Sequence, residues 1–134
     1  MAELKVVIND TKSGKSYQKV LSNNPYINNK VGDKVDGDAL GLSGYELEIR
    51  GASDNAGFPI RKDVPGVGRK RIIITSGPGL RLKRAPDGMR VKKTIVSNFI
   101  DNQIAQVNVK VLKYGAQSVE DVLGIKKEEV KATA

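Results

Sequence analysis

The chain has 134 residues, 39% of them hydrophobic and 28% charged, which is one domain's worth of sequence able to build a core without disulfides or metals. It contains no cysteine and no histidine, which excludes thiol nucleophiles, imidazole acid–base groups, disulfides and the usual zinc ligand sets. The net charge of +8 is uneven: residues 61–93 hold eleven Lys and Arg against Asp63 and Asp87, a local +9, so the remainder is nearly neutral.

The first ten residues include Glu3 and Asp10 and show no small-residue cleavage pattern, and no apolar run nears the roughly 18–20 residues that a bilayer span needs. The chain is therefore expected to be neither secreted nor membrane-spanning, and to work in the cytoplasm. In chain order, residues 4–8 and 16–21 read as two strands of a first hairpin turning at Ser13-Gly14. Asp33, Asp36 and Asp38 follow. Their spacing misses that of a calcium loop, which wants oxygens at alternate positions and a Glu at the twelfth, so no metal site is predicted and the three belong to turns and caps. Asp38-Ala39-Leu40 predicts a short helical turn, capped by Asp38 and stopped by Gly41.

Residues 45–50 alternate strictly between apolar and charged, the signature of a strand with one face buried. Gly66-Val67-Gly68-Arg69-Lys70-Arg71 lacks the third glycine of a dinucleotide loop and leads into a strand at 71–75 instead of a helix, so nucleotide binding is not predicted. Residues 94–100 and 104–112 flank Asp101-Asn102-Gln103, a turn sequence, and read as a second hairpin. Ile104 falls on the polar register of the alternation that follows it, which predicts a strand end or bulge there. Ser118, with Glu120 and Asp121 in the next turn and Gly124 as a stop, predicts a short helix; residues 126–134 lack apolar anchors and are expected to fray. Six strands, two short helices and no long helical repeat predict a mainly β fold, a small closed or nearly closed antiparallel β-barrel, with a two-sheet sandwich as the alternative. Residues 1–115 would form the barrel, an RNA-binding domain holding out 61–93 as a loop, and 116–134 the helix and tail.

Concentrated positive charge is what binding a polyanion requires. Arg61, Lys62, Arg69, Lys70, Arg71, Arg81, Lys83, Arg84, Arg90, Lys92 and Lys93 are the candidate contacts, and six of the eleven are arginines, whose planar forks suit phosphate. The window contains no aromatic residue, so it offers no platform for stacking splayed bases, and backbone contact with folded RNA fits better. Pro65, Pro78 and Pro86 preclude the long amphipathic helix that an anionic membrane would want. Carboxylates and lysines are present, yet no catalytic pairing is legible from their spacing, so neither an enzyme nor a bound cofactor or small-molecule substrate is expected.

One segment carries a more specific signal. In residues 49–60, Gly51, Asp54, Gly57, Phe58 and Pro59 stand at the spacing of a signature in the archaeal and eukaryotic small-subunit ribosomal protein numbered six, which is unrelated to the bacterial protein of that number. The chain resembles that family over roughly residues 1–115. Ala52 and Ile60 depart from the Gly and Met of the signature. The resemblance implies a structural, non-enzymatic constituent of the small ribosomal subunit, partnered by ribosomal RNA and neighbouring ribosomal proteins, monomeric when free, with the signature serving as a structural turn. It matches the short archaeal form, so the phosphorylated extension of eukaryotic members does not carry over. An extra-ribosomal RNA- or DNA-binding module is the alternative.

Overall fold

A computed structural model describes residues 3–80 and 86–123. Strands β1 (Leu4–Asn9) and β2 (Ser16–Leu21) form the expected first hairpin. Gly14 takes the left-handed conformation at its tip, φ 72°, and Asp10 organises the turn by accepting from the Lys12 N–H and the Ser13 hydroxyl, both at 2.9 Å. Strands β3 (Lys34–Asp36) and β4 (Glu46–Asp54) pair antiparallel, β5 (Arg69–Ile74) pairs antiparallel with β6 (Val91–Val96), and β7 (Ile104–Lys113) lies between β1 and β4. The result is a five-stranded sheet in the order β2-β1-β7-β4-β3 and a separate two-stranded arm of β5 and β6.

The expected closed antiparallel barrel does not form. Both sheets are open, and β7 runs parallel to β1, so the larger sheet is mixed. Closure would require the two outer edges to meet in one ladder. Instead β2 and the three-residue β3 end the sheet, and isolated bridges, Ser53 to Pro59 and Ile60 to Val96, join body to arm. The expected hairpin over residues 94–112 is also absent, because β6 pairs with β5 while β7 is taken on both sides by β1 and β4. The turn at Asp101 is real, with the Gln103 N–H donating to Asp101 Oδ1 at 2.9 Å. It carries the chain from one sheet to the other. A turn sequence fixes where the chain reverses and leaves the partner to be chosen by burial.

The bulge expected at Ile104 is present: the ladder passes from Asp54–Ile104 to Ser53–Gln106, leaving Ala105 unpaired. The 3₁₀ turn Gly37–Leu40 stops at Gly41, φ 80°, as expected, but Asp36 occupies the cap position and Asp38 lies inside the first turn. Helix α1 (Val119–Leu123) starts at Ser118, whose hydroxyl oxygen accepts from the Asp121 N–H at 3.3 Å. The expected stop at Gly124 and the tail at 126–134 lie outside the described residues. Among the described residues no helix is long and apolar enough to cross a membrane.

The core follows from alternation. Leu4, Val6 and Ile8, Leu47 and Ile49, and Val107, Val109 and Val111 turn one face of β1, β4 and β7 inward, each such side chain contributing about 1.5–3 kcal/mol on burial. Tyr45 closes one end. Its hydroxyl donates to the Gln117 carbonyl, its ring meets that of Tyr114 edge-on at 5.8 Å, and Gly37 and Gly115 press against it. Val119 of α1 is buried in the same cluster, and Tyr17 donates to Glu120 at 2.7 Å, so the helix is part of the body.

Tyr26 is buried with its hydroxyl unpartnered among the described residues, and burial pushes that phenol up from 10.0 to about 12. A raised folded-state value keeps its stability contribution complete below pH 10.0 and loses it as pH rises toward about 12, because the unfolded chain releases the proton first. Tyr26→Phe should therefore alter urea stability at neutral pH by less than about 1 kcal/mol, while visibly flattening the loss of stability near pH ~11. Tyr17, raised to about 12 by burial and then by Glu120, keeps part of the alkaline loss in the variant.

Candidate nucleic-acid interface

The arm is fixed to the body by a turn that residues 51–60 fold at the end of β4. The Asp54 N–H donates to the Phe58 carbonyl at 3.1 Å and Gly57, φ 88°, donates to the Asp54 carbonyl at 3.1 Å, which sends Pro59 and Ile60 back alongside β4 and β6. Asp54, whose side chain is 1% exposed, holds the turn from inside. Its Oδ1 accepts from the Ala56 and Phe58 N–H groups, both at 2.9 Å, and its Oδ2 accepts from Arg69 Nε at the start of β5. Arg69 also lies over the Phe58 ring, 5.1 Å from its centroid. The aromatic that meets the basic segment thus comes from upstream of it, and one face of its ring is covered by a cation. A β-carbon placed at Gly51 would meet nothing closer than Asn108 Nδ2 at 3.9 Å, so sterics do not explain a glycine at that position of the signature.

The candidate cations divide by environment. Arg61 is only 9% exposed, and its guanidinium is spent internally: Nε and Nη2 donate to the two Asp63 carboxylate oxygens at 3.0 and 2.8 Å, and Nη1 donates to the carbonyls of Ser76 and Pro78 at 3.0 and 2.9 Å. That hydrogen-bonded pair holds the Asp63 carboxyl below its ordinary value and raises Arg61 further. Arg69 is committed to Asp54 as described. Lys70 turns back to donate to the Pro65 carbonyl at 2.7 Å. Lys62 is exposed, and its amine lies over Gly32.

Arg71, Lys92 and Lys93 border one cleft, Arg71 and Lys92 on one face of the arm and Lys93 on the other. With Phe58, Pro59, Gly79 and Thr94 they line a cleft of about 400 Å³ at the side of the arm, and no acidic side chain lines it among the described residues. Arg90 stands apart, in a larger cavity of about 630 Å³ that it shares with Asp87, Thr75 and Ser76. Arg81, Lys83 and Arg84 lie outside the described residues. Asp33, Asp36 and Asp38 do not gather: Asp33 Oδ2 accepts from the Lys30 N–H at 2.8 Å, and among the described residues no group of three or more metal-ligating side chains assembles.

Sequence reasoning weighs the eleven cations alike because charge counts do not register burial. The signal that separates Arg61 is nonetheless present, since one of only two acids in the window stands two residues away. The signature marks Phe58 and Pro59 without marking them as cleft walls, because separate turns bring them together with Gly79.

Compared with known proteins, the chain matches the model of the family described as ribosomal protein S6e over residues 4–124. It is 41% identical over 125 residues to the small ribosomal subunit protein eS6 of Methanocaldococcus jannaschii, covering 93% of this chain and 94% of that one. The protein of the same name from Methanosphaerula palustris is 39% identical over 126 residues, 92% and 94% of the two chains. That of Nanoarchaeum equitans is 43% identical over 120 residues, 89% and 88% of the two.

Proposed function

Because the chain belongs to the ribosomal protein S6e family, we propose that it binds small-subunit ribosomal RNA through its basic arm, with phosphates seated at the Arg71–Lys92–Lys93 cleft. It is a structural, non-enzymatic constituent of the small ribosomal subunit, and its place is in cytoplasmic ribosomes. The observation that carries the RNA reading is the placement of three exposed cations around one acid-free cleft, Arg71 and Lys92 on one face of the arm and Lys93 on the other, while Arg61 and Arg69 are occupied by internal partners. Phosphate oxygens are the natural counter-charges for such a cluster, and they position without demanding base sequence. Residues 1–115 then serve as the RNA-binding unit, with the open sheet as the base against which the arm packs at Val96.

Replacing Arg71, Lys92 and Lys93 together by Gln should weaken binding to a small-subunit RNA fragment by about 10- to 1000-fold at moderate salt. If about six to nine phosphates are neutralised, log affinity falls against log salt with a slope of about −4 to −8, and the triple variant should flatten it by about 2–3. Thermal stability should hardly change, since exposed cations contribute little to folding. Filter binding across a salt series reads both quantities, and an unchanged slope would overturn the assignment. A free nucleic-acid-binding module would show a similar slope yet fail to co-sediment with small subunits after a salt wash.

A further inference from the structure

Arg61 is the anomaly of the basic arm, a cation in a cation-rich segment that faces inward. A buried guanidinium persists only where its donors are answered, and here four hydrogen bonds answer it. Asp63 takes one edge of the fork. That fixes the plane of the group, and the remaining Nη1 then reaches the carbonyls of Ser76 and Pro78 in the loop that follows β5. The loop is shaped to receive it. Gly77, φ 94°, lies so near that a side chain would stand 3.2 Å from Nη1, and Gly79, φ 93°, packs where a side chain would stand 2.9 Å from Ile95 Cγ2. Gly79 is also a wall of the Arg71–Lys92–Lys93 cleft.

From this geometry we propose that Arg61 and Asp63 form a positioning pair, which contacts no RNA itself and presets the 76–79 loop as a wall of the phosphate cleft. The proposal rests on the RNA-binding reading. It assigns a purpose to an acidic side chain, 67% exposed, in the most basic part of the chain, where simple electrostatics would disfavour it. Without Asp63 the guanidinium loses its orientation, the carbonyls of Ser76 and Pro78 lose their donor, and the wall must be ordered at the moment of binding.

The test turns on a sign. Asp63→Ala removes a negative charge, so an arm governed only by charge would bind RNA more tightly, whereas loss of a preset wall should weaken binding by about 3- to 10-fold. Asp87→Ala makes the same charge change without touching the pair and should tighten binding or leave it alone. Asp63→Glu restores the carboxylate and should recover most of the lost affinity, and Arg61→Lys, which keeps charge but loses the fork, should behave like Asp63→Ala. Filter binding of a small-subunit RNA fragment at one salt concentration, on variants confirmed folded by thermal unfolding, gives the comparison. Tighter binding by Asp63→Ala, or Arg61→Lys indistinguishable from wild type, overturns the proposal. If instead the Arg71, Lys92 and Lys93 triple variant binds like wild type, it is the RNA reading that falls.

Discussion

Asp54→Ala is expected to destabilise the protein by about 3 kcal/mol, the largest effect of any single polar substitution in the described body. The side chain is 1% exposed and accepts three hydrogen bonds, two from the turn that it closes and one from Arg69. Truncation strips the Ala56 and Phe58 N–H groups of their acceptor, each at a penalty of about 1–3 kcal/mol when water cannot replace it. Arg69 adds less, because its side chain is 42% exposed and solvent takes over part of its charge. Asp54→Asn should therefore cost only about 1–2 kcal/mol, since an amide oxygen can still serve the turn. Urea unfolding of the three proteins reads the order directly. A loss below about 0.5 kcal/mol for Asp54→Ala would show that the turn stands without its carboxylate. The arm should also lose RNA affinity in this variant, because Arg69 begins β5 and its tether is a link from arm to body.

Gly115→Ala is expected to cost about 3 kcal/mol or more, by crowding alone. A β-carbon at Gly115 would lie 2.3 Å from the Ser43 carbonyl oxygen and 2.9 Å from Tyr45 Cδ2, and backbone has to move to admit it. Gly37 is its counterpart: a β-carbon there would lie 2.6 Å from the Leu42 carbonyl oxygen and 2.9 Å from Tyr45 Cβ. Neither residue has a positive φ, so conformational strain is not the cause. Gly51→Ala supplies the contrast, because the site is open and the unfolded chain loses freedom, giving a change within about 1 kcal/mol of zero. Thermal unfolding of Gly115→Ala and Gly51→Ala side by side tests the steric account, which fails if they melt alike.

Much of the secondary structure is legible in the sequence because alternation is a local property. Residues 16–21 are bounded as expected, and Ile104 announces its bulge by falling out of phase. β3 is invisible, since three residues, Lys34, Val35 and Asp36, are too few to show a period. The barrel and the second hairpin fail for one reason: strand partners are set by which apolar faces bury together, and β7 finds β1 and β4 at long range. The candidate interface divides in the same way. The basic segment is plain from composition, but the separation of Arg61 and Arg69 from Arg71, Lys92 and Lys93 depends on internal partners, Asp54 for Arg69 and Asp63 with the Ser76 and Pro78 carbonyls for Arg61.

The position of β7 governs the order in which this chain can mature. It is the central strand of the larger sheet, and its parallel partner lies at the other end of the sequence, with Lys5 opposite Gln106 and Asn9 opposite Lys110. A chain emerging from its own synthesis at about 5–20 residues per second carries β1–β2 and β3–β4 as two disconnected hairpins until β7 appears. Such distant pairing is slow, and each waiting hairpin exposes an unpaired edge. The larger sheet is therefore expected to assemble only once β7 has been made, and a chain cut short before residue 104 should release adhesive half-sheets rather than a smaller folded protein.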